Sequence, residues 1–175
     1  MYSKTHAFDD KLRDLYESTI HDPNTRKIRY PGNLISKRPI FSSDYFNCCA
    51  CAVIGHGKKE LLLGGLTHYQ TSADSFANTR EKTISFLSRF ITYAQFPWFA
   101  VVVGGDQKLF KWNLAAMELA GIPVLGQYCD KWSVKISKEE TSPDQSEKSV
   151  LVIPEQKKII IYSEPIGIKS WNLKE

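Results

Sequence analysis

Three of the chain's four cysteines, Cys48, Cys49 and Cys51, crowd into the segment FNCCACAV, and one of its four histidines, His68, ends the segment LLLGGLTHY. A thiol beside an imidazole is a nucleophile in waiting. The imidazole lowers the thiol's pKa, and the thiolate it releases attacks carbonyl carbon. In an extended chain alternate residues share a face, so Cys49 and Cys51 point one way and Cys48 the other. Two further readings compete with the nucleophilic one. Cysteine is among the most buried residue types and behaves as a small apolar side chain, which makes CCACAV an ordinary core strand. Cys49, Cys51, His56 and His68 also offer soft metal ligands, although no paired C-x-x-C knuckles occur. Cys129 has no visible partner, while His6 and His21 lie in the leader, where exposed histidines are ordinary.

The elements that must bring Cys and His together can be read from pattern. CACAVIGH and LLLGGLTHY are short apolar runs separated by the charged turn GKKE, so they predict a β-hairpin whose antiparallel pairing returns His68 to the cysteines. From Thr5 to about His21, Phe8, Leu12, Leu15, Tyr16 and Ile20 recur at helical spacing. The next segment is broken by Pro23, Pro31, Gly32 and Pro39 and predicts an irregular connection with at most short strands, so residues 1–40 read as an extension at the edge of a domain spanning 41–175. A long helix is expected over Ala73 to Ala94, with Ser72 or Asp74 as N-cap. The strand WFAVVVGG, a short helix in LFKWNLAAMELAGI ending at Gly121, and the strand PVLGQY follow. Lys138 to Lys148 read as a mobile polar loop, and SVLVIPEQKKIIIYS as a second hairpin. This order predicts an α/β fold: a mixed-sheet sandwich with β-hairpins and two packed helices.

Composition narrows the function classes. With 175 residues, 42% hydrophobic and 24% charged, the chain predicts one folded domain. Its net charge of +4 is spread along the sequence and not concentrated on one face, which argues against nucleic acid as a partner. The longest apolar run, Phe96 to Val103, is interrupted by Pro97 and falls short of the roughly 18 residues a membrane helix requires. The charged first residues carry no secretory pattern, so a cytoplasmic location is expected.

The order of these motifs resembles the chemotaxis glutamine deamidase family, CheD. Gly64, Gly65, Leu66, Thr67 and His68 resemble that family's GGLAHF histidine segment. Cys49 best matches its strand-initial nucleophile, and Ser43 falls where the family has a threonine six residues upstream. A competing register makes Cys51 the nucleophile and puts Tyr45 at the threonine position. Val103, Gly104 and Gly105, then Asn113, Ala116, Gly121, Ile122 and Val124, resemble the family's mid-chain glycine pair and asparagine-led helix. The likeness covers about Phe41 to Tyr162, and Asn47-Cys48 replaces the family's glycine-serine.

The resemblance implies a CheD-like sandwich, related to the catalytic domains of the cytotoxic necrotizing factors, and a protein-glutamine deamidase. Cys49 would attack the carboxamide, His68 would move the proton and Ser43 would orient the imidazole, with no metal or organic cofactor. The implied partner is a protein bearing a reactive glutamine, chemoreceptors and other signalling proteins being candidates, or a target in another cell if the chain is delivered there. A non-catalytic member of the same fold, binding a protein through the leader helix and Trp98, Trp112, Trp132 and Trp171, is the alternative. Soft ligands crowded on one strand without a second knuckle predict no stoichiometric zinc. Elemental analysis of purified protein checks this, and one zinc per chain would favour the metal reading.

Overall fold

The computed structural model describes residues 3–45, 48–70, 75–129, 147–163 and 167–172. It is a mixed α/β fold with, among those residues, three α-helices, α1 (Ser3–His21), α2 (Phe76–Tyr93) and α3 (Gln107–Leu119), and ten strands in two five-stranded sheets. One sheet has the order β1 (Arg26–Lys27), β3 (Ile40–Ser42), β8 (Lys148–Ile153), β9 (Lys158–Ser163), β10 (Gly167–Asn172). The other runs β2 (Gly32–Ser36), β5 (Leu62–His68), β4 (Ala50–Gly57), β6 (Ala94–Gly104), β7 (Val124–Cys129). Each sheet is antiparallel apart from one parallel pair, β1 with β3 and β6 with β7.

The hairpin around GKKE forms as its pattern predicts, β4 pairing antiparallel with β5 through a short 3-10 turn at Lys58–Glu60. The second hairpin, β8 with β9, belongs to the other sheet. Burial then stacks the molecule in four layers. Val150, Val152, Ile159 and Ile161 of the first sheet meet Ala50, Ala52, Ile54, Leu66, Phe99 and Val101 of the second. The second sheet's other face, carrying Cys49, Cys51, Val53 and Val102, is covered by Phe86, Leu87 and Phe90 of α2 and by Leu109 and Met117 of α3. On the outer face of the first sheet, Leu12 and Tyr16 of α1 pack on Leu151, Ile153 and Ile160.

Gly64 and Gly65 sit where these layers come closest. A Cβ on Gly64 would fall 2.7 Å from a Val152 methyl, and one on Gly65 would fall 2.7 Å from the Phe86 ring. The glycine pair before His68 therefore permits close packing on both faces of β5.

Several sequence expectations change. The leader contributes to both sheets: β1 and β2 are their edge strands, and α1 covers one of them. The breaker residues hid this, since strands of two and five residues leave little period to read. α2 is capped by Ser75, whose hydroxyl accepts from the Asn78 N–H at 3.1 Å; Ser72 and Asp74 lie outside the described residues. Most of the expected polar loop also lies outside them, but its last residue, Lys148, begins β8 and is fully buried. Strands β3 and β10 were not anticipated.

Tyr16 tests the integral role of α1, for it packs against Phe41 and Tyr162 and its hydroxyl lies 2.5 Å from Ser149 Oγ. Tyr16→Ala should cost about 3–5 kcal/mol in urea unfolding, as large aromatic truncations in cores do. A peripheral helix would give a loss within about 0.5 kcal/mol.

Candidate active site

The cysteines are distributed by the two-residue period of β4. Its pairing with β5 matches Ala52 to Leu66, and an isolated bridge matches Cys49 to Tyr69, so His68 lies opposite Ala50. Ala50 and Leu66 face the other sheet, and His68 therefore does too. Cys49 and Cys51 face the helices. The expected Cys49–His68 pair is thus separated by the sheet itself, and the Cys51 register fails for the same reason. Cys49 Sγ lies 3.5 Å from the Asp106 carbonyl at the start of α3, and the Cys51 N–H donates to Thr67 Oγ1 at 2.9 Å. Both thiols are buried core groups, and desolvation drives the pKa of each upward, that of Cys51 to about 12.

Cys48 is the cysteine on the histidine's side, clustered with Tyr45, Ala50 and Ala52 between the sheets. Directly opposite it stands Gln70, whose Oε1 accepts from the thiol at 3.6 Å. Cys48 and His68 are diagonal neighbours across the ladder, a placement in which Cα atoms lie roughly 7–8 Å apart and side chains can meet. Burial pushes the Cys48 thiol up to about 11, with the Asp44 carboxylate adding to the rise and the Lys148 cation opposing it.

The serine shifts by one residue as well. Ile40 and Ser42 of β3 face the second sheet, whereas Phe41 faces α1, so Ser43 falls on the wrong side. Ser43 Oγ donates to its neighbour Asp44 at 3.0 Å, and it is Ser42 Oγ that meets His68 Nδ1, at 2.9 Å. This contact bridges the two sheets. Ser42 lies six residues before Cys48, the same spacing that separates Ser43 from Cys49, so spacing could not choose between the pairs.

Ser42 Oγ also lies 3.0 Å from the Ile28 carbonyl, which can only accept; both contacts are satisfied when the hydroxyl donates to Ile28 and accepts from His68, the arrangement that puts the ring proton on Nδ1. Nε2 is left as a bare lone pair, buried and without a hydrogen-bond partner among the described residues. The ring is clamped by Tyr45, stacked at 3.9 Å between centroids, and by the edge of Tyr30 at 5.9 Å. Ser42 and Tyr45 are an odd number of residues apart and would face opposite ways in a continuous strand. Asp44, at φ 67°, breaks the alternation so that both reach His68.

His56, the other candidate metal ligand, pairs with Leu62 at the far end of the hairpin. Among the described residues no three His, Cys, Asp or Glu side chains are grouped to hold a metal. The tryptophans do not form one surface: the Trp98 indole donates to the Gly121 carbonyl at 2.9 Å, Trp112 lies under Arg80, and Trp171 packs on Gly126 between the sheets. Trp132 lies outside the described residues. No helix is long and apolar enough to cross a membrane. No protein-family model matches the chain, and no curated protein matches it.

Burial lowers the His68 pKa to about 4, the Asp44 carboxylate opposing the shift, against about 6.5 for an exposed imidazole. Between those values the unfolded chain binds a proton that the folded one does not, so stability falls as pH is lowered through this window. The loss should approach about 3 kcal/mol. Urea titrations of wild type and His68→Gln at pH 7, 5 and 4 check this, the variant lacking that share of the slope.

Proposed function

We propose that the chain is a cysteine-dependent amide hydrolase of CheD-like fold, deamidating a glutamine side chain in a protein, with Cys48 as nucleophile, His68 as base and Ser42 as the orienting group. The observation that carries this reading is the Ser42–His68 hydrogen bond, which leaves an imidazole lone pair buried on the sheet face that Cys48 shares. Ser42 and Cys48 keep the six-residue spacing that the resemblance to the deamidase family implies between the third triad member and the nucleophile.

At neutral pH both partners rest uncharged, as thiol and imidazole. Nε2 takes the Cys48 proton as the sulfur closes on the carboxamide carbon, and the C–S bond forms with negative charge passing to the amide oxygen. The imidazolium returns the proton to the nitrogen, the C–N bond breaks, and ammonia leaves behind a thioester. Water deprotonated by the same Nε2 then cleaves the C–S bond, giving glutamate and the free thiol. Ser42 holds the ring with Nδ1 protonated and Nε2 free throughout. The buried Lys148 cation favours the thiolate as it forms. The incoming carboxamide takes the place that Gln70 occupies against the sulfur.

Cys48→Ala should remove all ammonia release and all one-dalton mass gain from glutamine-bearing protein substrates, a chemoreceptor cytoplasmic segment among them. Cys49→Ala should retain activity. His68→Ala should match Cys48→Ala, and Ser42→Ala should lose about 10- to 100-fold in kcat/KM, since an orienting group refines geometry. Iodoacetamide with peptide mapping gives a test that needs no substrate. Cys48 should be the thiol labelled in the native protein, more slowly in His68→Ala at pH 7, with the difference closing above about pH 11, where the thiol ionises unaided. Labelling of Cys48 that is indifferent to His68 would replace the enzyme with the non-catalytic binding module.

A further inference from the structure

We propose a second site, independent of the thiol chemistry, at which an extended acidic peptide adds as a strand to β2. This strand ends its sheet: among the named strands it pairs only with β5, through Gly32–Ser36. All five residues are partly exposed. An edge strand offers alternate unpaired N–H and C=O groups along its outer side, the template on which peptide strands add.

Beside that edge lies a cleft of about 480 Å³, on the helix-facing side of the sheet between β2, the turn after β4 and the end of α2. Its apolar lining includes Ile35, Leu61, Leu63 and Tyr93, and the Tyr93 side chain is more than half exposed. Around these stand three cations, Lys37, Lys58 and Arg89. Among the described residues no acidic side chain lines the cleft, and none of the three cations is in an ion pair. Arg89 is held by Asn33, which accepts one of its N–H groups and itself donates to the Tyr69 hydroxyl, leaving further guanidinium donors for a ligand.

Three like charges around an apolar floor repel one another until an anion arrives, which selects carboxylates as the complement. The span from Asn33 to Lys37 is about 13 Å at strand rise, the length of some four extended residues. Alternation then fits the ligand to the site: the side chains of one set face the cleft, where an apolar group seats over Ile35 and Tyr93 and carboxylates two residues to either side of it reach the cations.

The test uses the full chain and a fluorescein-labelled, end-blocked six-residue peptide, Glu-Thr-Val-Thr-Glu-Thr, whose Glu and Val share one face, with a control in which both Glu are Gln, read by anisotropy. The acidic peptide should bind at least about 10-fold more tightly than the control and weaken several-fold between about 50 and 300 mM salt. Lys37→Glu with Lys58→Glu should abolish the preference while the circular dichroism stays unchanged. If that pair unfolds the chain, Lys58→Gln, on an exposed turn, should still weaken binding about 3-fold. Bound peptide should slow hydrogen exchange of the β2 amides. Equal binding of the control, or no protection of β2, overturns the proposal. Displacement of the peptide by free glutarate or phosphate at equal concentration would make the site one for small anions. A concentration-dependent dimer that excludes the peptide would assign the edge to a second copy. Cys48→Ala should bind the peptide normally, so failure of the deamidase reading and failure of this one are separable.

Discussion

β4 is buried on both faces, and that constraint organises everything around it. Its neighbours β5 and β6 occupy both of its edges, one face carries the inter-sheet core, and the other carries α2 and α3. A strand so enclosed has no tolerance for a slip of one residue, because each slip would exchange the contents of two cores. Small side chains at Ala50, Cys51 and Ala52 let both layers close on it. Its register with β5, carried on by the Cys49–Tyr69 bridge, consequently decides which sulfur shares a face with His68.

The candidate site depends on both sheets at once. Cys48 and His68 come from the β4–β5 side, Ser42 from the sheet that faces it, and Lys148 from the strand that pairs with β3. Such a site cannot form before the sheets have met, and its hydrogen bond helps to fix how they meet. Burial disfavours the charged forms of both thiol and imidazole, and the imidazole is held by a single hydroxyl that also bonds the Ile28 carbonyl. Tyr45 stacked on the ring and Tyr30 packed against it limit its rotation.

The β2 cleft has the opposite physical character. It lies on the outer side of the same sheet, at an edge where β2 pairs with no second named strand and where, among the described residues, no acidic side chain lines the cleft. One sheet therefore offers a buried thiol and imidazole on one face and an open positive groove on the other. The two are joined through β5, where Thr67 and Tyr69 face the helices and His68 faces the opposing sheet.

The sequence by itself determined the elements whose signals are local. The apolar runs around GKKE and PEQK, the helical spacing from Leu12 to Ile20, and Gly121 closing α3 at φ 67° all act within a turn or a strand. It also brought a cysteine cluster and His68 to one hairpin, because antiparallel pairing through a short turn leaves little choice. Parity was beyond its reach. Ser42 with Cys48 and Ser43 with Cys49 have identical spacing, and alternation says only that the two sets face opposite ways. Which set faces His68 depends on strand pairing and on the distribution of the hairpins between two sheets. These are contacts between residues far apart in the chain, as are those that turn the broken leader into β1, β2 and a covering helix. Only the tertiary structure could decide them, because burying two cores at once is a property of the assembled layers and not of any segment.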